Sequence, residues 1–156
     1  VTINYFQQNF LDNAKVAAIQ SSGKSGLPPG VTVAQAALES AWGASALSVH
    51  YNNYFGLKAH GQFHSTNMQT TEVVNGQSVQ ESQPFAVYAS MEECFEDRDH
   101  VILTAVVYQE ARDVKNDPEQ FVRALAKHWA TDPNYAEKIL ATYKAHDLDQ
   151  MDKETT

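Results

Sequence analysis

The chain has one cysteine, little positive charge and no long apolar run, and each shortage excludes a class of protein. A lone Cys94 cannot close an internal disulfide, so the fold must be held by its own core. Cys94 falls on an apolar helical stripe with no histidine at a nucleophile's spacing, which makes it a core residue rather than a reactive thiolate. Lysine and arginine total 11 against 19 aspartates and glutamates, a formal charge of −8. Nucleic-acid phosphates demand a basic footprint, so that class of partner is excluded. Part of the charge lies near the end, where Asp147, Asp149, Asp152, Lys153 and Glu154 carry a net −3. The mildly acidic remainder suits a partner held by stacking and neutral hydrogen bonds. No apolar stretch approaches the ~18 residues of a membrane span. There is also no internal repeat and no low-complexity segment.

With 156 residues, one domain is expected over 1–146, followed by a polar, frayed tail over 147–156. No secretory leader is recognisable and the first residue is Val1 rather than Met, so a leader or a further domain is expected to have been removed.

The apolar pattern is helical with one β interruption, an α+β class dominated by helix. Tyr5, Phe6, Phe10, Ala14, Ala17 and Ile19 recur at helical spacing over about 4–19, and the Gly-, Ser- and Pro-rich stretch 21–30 breaks that helix. A small-residue helix is expected over about 31–42. Strands over 70–74 and 77–82 flank Asn75-Gly76, the dipeptide of a two-residue type I′ hairpin. Ser90-Met-Glu-Glu93 reads as a capping box opening a helix with Met91, Cys94, Phe95, Val101, Ile102, Ala105 and Tyr108 on its apolar stripe. Arg98 interrupts that stripe and requires a carboxylate or carbonyl partner. Asp117-Pro118 and Asp132-Pro133 each pair an N-cap with proline at the first helical position, opening helices that end near Trp129 and His146.

Glu39 is the residue with the least structural excuse. Ala34, Leu38, Ala41 and Trp42 form the apolar stripe of its helix, and Glu39 lies at the edge with Trp42 one turn ahead. Burial beside an indole and the negative end of a helix stopped by Gly43 both disfavour the carboxylate and raise its pKa. A glutamic acid that keeps its proton near neutral pH can donate it to a glycosidic oxygen. The plain alternative is a solvated helix glutamate. Twelve residues on, Tyr51-Asn-Asn-Tyr-Phe-Gly-Leu-Lys58 offers aromatic and amide groups that can stack on and hydrogen-bond to a sugar.

The hairpin supplies a second carboxylate. With Asn75-Gly76 as the turn, Glu72 sits across from Val79 and shares a face with Thr70 and Val74. It can serve as a base activating water or as an anion opposite a positive sugar ring, and the alternative is an ordinary exposed strand glutamate. His60 and His64 read as surface histidines in a loop containing Gly61 rather than as a metal pair.

Five ordered blocks add a resemblance: Ala36-Ala-Leu-Glu-Ser-Ala-Trp-Gly43, Asn52-Asn-Tyr-Phe-Gly-Leu-Lys58, Thr70-Thr-Glu-Val-Val-Asn-Gly76, Phe85-Ala-Val-Tyr-Ala-Ser90 and Ala130-Thr-Asp-Pro-Asn-Tyr-Ala136. Together they resemble glycoside hydrolase family 73, the bacterial and phage endo-β-N-acetylglucosaminidases that include the hydrolase domain of flagellar rod-assembly proteins. The resemblance runs over about 31–143. It implies a lysozyme-like fold, with a helical lobe and a small β-hairpin lobe flanking a cleft for a glycan strand. It also implies Glu39 as general acid, Glu72 as the carboxylate of a mobile β lobe, and Tyr135 as a tyrosine near the reacting sugar, the alternative for Tyr135 being a core tyrosine packed with Ile139. Asn53, Tyr54, Phe55 and Gly56 match cleft-lining positions. Trp42 joins them as a candidate for the substrate site, and Trp129 is either core or a stacking wall.

The function this implies is cleavage of the β-1,4 bond between N-acetylglucosamine and N-acetylmuramic acid in peptidoglycan. The expected protein is a monomer without metal or cofactor, acting outside the cytoplasmic membrane on the glycan strand. A muramidase or lytic transglycosylase on the same polymer, and a non-catalytic wall-binding or assembly module, are the alternatives. Inverting and substrate-assisted chemistry differ in the separation of the two carboxyls.

Overall fold

The computed structural model describes residues 3–61 and 64–153, apart from the side chain of Glu72. Its centre is one helix, α2 (Pro29–Glu39), whose residues 29–37 are all buried. A helix apolar on every side needs neighbours on every side, and Ala34, Ala36 and Ala37 are small enough to let them approach. The neighbours are α1 (Tyr5–Ser25), α7 (Tyr135–Ala145) and α8 (Asp149–Lys153), with α4 (Met91–Thr104) packed against α1. The short α3 (Ala46–Tyr51) follows α2. A 3₁₀ turn over Val106–Tyr108 leads into α5 (Gln109–Asp113), and α6 (Pro118–Trp129) packs on α5 and α7.

Local capping chemistry accounts for most boundaries. Asn4 accepts from the Gln7 amide at 2.8 Å to open α1, and Ser90 accepts from Glu93 at 3.1 Å to open α4. The Glu93 carboxylate reaches back to the Ala89 amide, so the expected capping box forms with its return arm one residue early. Asp117 caps α6 through the Gln120 amide with Pro118 in the first turn, as expected.

Several boundaries differ from the sequence reading. α1 continues through 21–25, where a break was expected, and stops only at Gly26 with φ 73°. Its buried face is Phe10, Leu11, Ala14, Ala17, Ala18 and Ser21, whereas Tyr5, Phe6 and Ile19 of the expected stripe are exposed. α2 starts at Pro29 and ends at Glu39, so Trp42 and Gly43 lie outside it. Asp132 does not cap α7 directly. It accepts from the Asn134 amide at 2.8 Å in a turn that delays the helix to Tyr135.

The β element is a single antiparallel hairpin, β1 (Ser65–Val74) and β2 (Gln77–Ala86), longer than expected but in the expected register, with Glu72 opposite Val79. Asn75 and Gly76 both have positive φ, 52° and 78°, as a type I′ turn demands. Only the base of the hairpin reaches the core, through Phe85 and Ala86. Lys58 bridges to Phe85, and the Ala86 amide donates to Leu57 at 3.0 Å. Toward the tip both faces are open, with Val73 75% and Val79 38% exposed.

Residues 147–153 are not the frayed tail expected from their polarity, and 154–156 lie outside the described residues. Leu148 is fully buried, and Asp152 of α8 accepts from the Gly30 amide at 2.7 Å and from the Tyr143 hydroxyl at 2.6 Å. Pro28 at the start of α2 offers no side-chain cap, so a carboxylate 122 residues away performs that task. Gly30 permits the approach, since a Cβ there would lie 2.1 Å from the Leu148 carbonyl oxygen. Replacing Asp152 with Ala is expected to cost about 1–2 kcal/mol, measurable as a lower urea midpoint at unchanged slope.

Candidate active site

Glu39 closes α2 at its negative end, and the chain then reverses sharply. Ala41, Trp42 and Gly43 have φ of 50°, 58° and 81°. Two consecutive non-glycine residues in that region are strained. Hydrogen bonds and packing offset the cost. The Ser40 hydroxyl donates to Ala36 at 2.6 Å and accepts from the Gly43 amide at 2.9 Å. The Trp42 ring meets Phe10 at 6.0 Å and His146 at 4.9 Å between centroids. Trp42 is therefore half-buried through its own hook rather than as the next turn of the helix.

The loop after α3 faces the acid through its backbone. Asn53, expected along the cleft, is fully buried instead. Its amide donates to the carbonyls of Leu57 and Ala86 at 2.9 and 3.0 Å and accepts from the Leu57 amide at 3.0 Å. Phe55 is likewise core, 2% exposed, 5.1 Å from the Phe95 ring and beneath the Arg98 guanidinium. These two expectations are corrected: a loop needs partners for its backbone and a hydrophobic anchor, and Asn53 and Phe55 supply them from behind the surface. Gly56, directly after Phe55, is exposed, and a Cβ placed on it would lie 3.9 Å from Glu39 Oε2. Tyr54 is half-buried against Phe10 and Phe95. Trp129 is also half-buried, 5.9 Å from Tyr108.

Tyr135 joins Glu39 from the first residue of α7. It is a core tyrosine by exposure, 4%, yet its hydroxyl accepts from Gln35 Nε2 at 3.0 Å and stands close enough to the Glu39 carboxyl to lower its pKa. Burial raises the Glu39 pKa above its ordinary value, and the Tyr135 hydroxyl partly offsets the rise. The phenol is pushed well above its usual range by burial and by the charge of Glu39, so it donates without ionising.

Behind this pair lies what the sequence reading left open. Arg98 has no exposed surface. Its Nε and Nη2 donate to Gln35 Oε1 at 3.0 and 2.8 Å, and its Nη1 donates to Thr32 Oγ1 at 2.9 Å and Asp99 Oδ1 at 2.8 Å. Gln35 was not singled out from the sequence, although its polar side chain one turn before Glu39 on a largely apolar helix was a readable signal.

Glu72 stands on β1 opposite Val79, and its side chain lies outside the described residues. Cys94 is buried in the core with its thiol pushed up to about 12 by burial, so it is no nucleophile. His60 pairs with Asp97 at 2.8 Å, and His64 is exposed. A hollow near Leu27, Pro28 and Asp152 lies at the opposite end of α2 from Glu39.

Comparison with known proteins places the fold. Residues 15–148 match the family model described as mannosyl-glycoprotein endo-beta-N-acetylglucosaminidase. The chain is 32% identical over 152 residues to the exo-glucosaminidase LytG of Bacillus subtilis, covering 94% of this chain and 54% of that protein. It is 33% identical over 150 residues to a probable N-acetylmuramidase of Lactococcus lactis, covering 92% of this chain and 34% of that one. Thus it spans between a third and about half the length of these relatives. The solved catalytic domain of the autolysin Auto from Listeria monocytogenes superposes with a TM-score of 0.85 at 30% identity, covering 97% of this chain and 90% of that one. The lysozyme-like fold, a helical lobe with a small β-hairpin lobe, is the fold of this chain.

The site geometry sets an expected titration. The Glu39 carboxyl, followed by ¹³C NMR with Glu39→Gln to assign the signal, titrates above 4.5, the ordinary value. Tyr135→Phe removes the hydroxyl that lowers it and moves the midpoint further up.

Proposed function

The chain belongs to the glucosaminidase family, glycoside hydrolase family 73, and from that premise we propose that this domain cleaves the β-1,4 bond between N-acetylglucosamine and N-acetylmuramic acid in peptidoglycan, with Glu39 as the general acid. The observation that carries the assignment of the acid is the half-buried carboxyl at the end of a fully buried helix, its pKa raised by burial, beside exposed Gly56. Such a group holds a proton at a pH where a solvated glutamate has lost it, and the glycine leaves room above it for a sugar ring.

In this reading the glycosidic oxygen takes the Glu39 proton as the bond to the anomeric carbon lengthens. The carboxylate left behind is met by the Tyr135 hydroxyl. Glu72, carried on the projecting hairpin, is the second carboxylate, activating water or facing the positive charge that develops on the ring. The half-buried aromatic rings of Trp42, Tyr54 and Trp129 are the candidate stacking surfaces for neighbouring sugars. Asn53 and Phe55 serve by shaping the loop that carries Gly56. The polymer lies outside the cytoplasmic membrane, so the domain acts there. Among the described residues no helix is long and apolar enough to cross a membrane.

The name of the Lactococcus lactis relative favours a second reading, hydrolysis of the neighbouring muramic acid bond by the same acid. Digestion of purified peptidoglycan, followed by borohydride reduction and mass spectrometry, distinguishes the two. Reduced N-acetylglucosamine ends are expected from the wild type, and reduced or anhydro muramic ends would establish the second reading. Glu39→Gln is expected to lose about 10²–10⁴-fold in turnover while still sedimenting with peptidoglycan. Retained turnover in that variant would remove Glu39 from the acid's role. Glu72→Gln is expected to lower kcat by roughly 10²-fold with a smaller change in KM, and an unaltered kcat would return it to an ordinary strand glutamate.

A further inference from the structure

We propose that Arg98 and Gln35 are positioning residues of this site, fixing the direction of the Tyr135 hydroxyl so that its hydrogen points at the Glu39 carboxyl. The inference rests on Glu39 being the acid, as proposed above, and it follows from donor and acceptor accounting in a buried network.

Arg98 can only donate. Two of its nitrogens converge on Gln35 Oε1, at 3.0 and 2.8 Å, which assigns the orientation of that amide: turned over, its NH₂ would face a guanidinium with no acceptor between them. Gln35 Nε2 therefore faces the Tyr135 oxygen at 3.0 Å and can only donate to it. The phenol oxygen is an acceptor on that side, and its single hydrogen is left for another acceptor. Glu39, one turn after Gln35 on α2, is that acceptor. Every donor in the series Arg98, Gln35, Tyr135, Glu39 points the same way.

The start of the series is held by several partners. Arg98 Nη1 donates to Thr32 Oγ1 and Asp99 Oδ1, Ser25 donates to Asp99 Oδ2 at 2.8 Å, and the Phe55 ring lies 5.5 Å from the guanidinium carbon. α2 has no other ionisable residue, so the groups that bias Glu39 stand on other elements: Tyr135 on α7 and, behind it, Arg98 and Asp99 on α4. A hydroxyl oriented before the reaction stabilises the carboxylate as it forms without having to turn. It also leaves the other Glu39 oxygen to carry the proton toward substrate.

The test is the pH dependence of kcat on solubilised glycan strands for wild type, Gln35→Glu, Tyr135→Phe and the double variant, with thermal unfolding of each. In Gln35→Glu the new carboxylate accepts from both Arg98 and Tyr135 and draws the hydroxyl away from Glu39. An acid active when protonated loses activity as pH rises through its pKa, so its basic limb should move up by about one unit while the plateau falls roughly tenfold. With Tyr135→Phe already present, the same substitution should move the limb little, because there is no hydroxyl to redirect. An unmoved limb in Gln35→Glu overturns the proposal. So does an equal shift in both backgrounds, which would mean a direct charge effect. Should Gln35→Glu fail to fold, Gln35→Met removes the amide at similar length, and a smaller upward shift confined to the Tyr135 background is expected, its absence having the same meaning. A wild type without turnover, or an active Glu39→Gln, would instead defeat the reading of Glu39 as acid.

Discussion

A guanidinium with no contact with water must have every donor satisfied, and the rest of the molecule is arranged around that demand of Arg98. Leaving such a charge short of a partner costs about 3–5 kcal/mol, a large part of a domain's stability. The partners come from Thr32 and Gln35 on α2 and Asp99 on α4 itself, and Asp99 is tied in turn to Ser25 at the end of α1. Through Gln35 the network also reaches Tyr135 on α7. Four helices cannot shift relative to one another without breaking a buried hydrogen bond, and among the described residues no buried side-chain polar atom lacks a partner. An apolar contact would tolerate small sliding. A hydrogen-bond network with fixed donors and acceptors does not.

That rigidity explains how the acid is held. α2 is gripped at both ends by side chains remote in sequence, Asp152 on its first free amides and Tyr135 on its last residue. Between them the helix is buried on all sides, so its dipole is unscreened by solvent and its negative end falls on Glu39. Desolvation and dipole both favour the protonated acid, whereas the Tyr135 hydroxyl favours the anion. The proposed role as general acid uses both tendencies, one before the proton leaves and the other after. The hairpin is built on the opposite principle. Anchored only at its base, it carries Glu72 on a strand pair open to solvent on both faces, so the two carboxylates belong to parts of very different packing.

Legibility follows the range of the interaction. Asn75-Gly76, Ser90 and Asp117-Pro118 were read correctly because a turn or a cap is settled within four residues of chain. Periodicity misjudged α1, where Tyr5, Phe6 and Ile19 are apolar yet exposed, because a stripe on a helical wheel says nothing about how far the neighbouring layer extends. Polarity misled in two directions. Asn53 was taken for a ligand to sugar when its amide was needed by the backbone, and the acidic segment after 146 was taken for a tail when one of its carboxylates caps the central helix.

The sequence by itself determined the class of fold and the family, and it singled out Glu39. Those rest on local patterns and ordered blocks, and a glutamate in a small-residue helix is conspicuous without coordinates. What only the tertiary structure decided is which groups surround that carboxyl. Gln35 and Tyr135 are 100 residues apart and Gln35 and Arg98 are 63 apart, and the direction of a hydrogen bond between them depends on which atoms are left as acceptors once every other partner is in place. No spacing along the chain encodes that remainder, because it is a property of the packed interior as a whole.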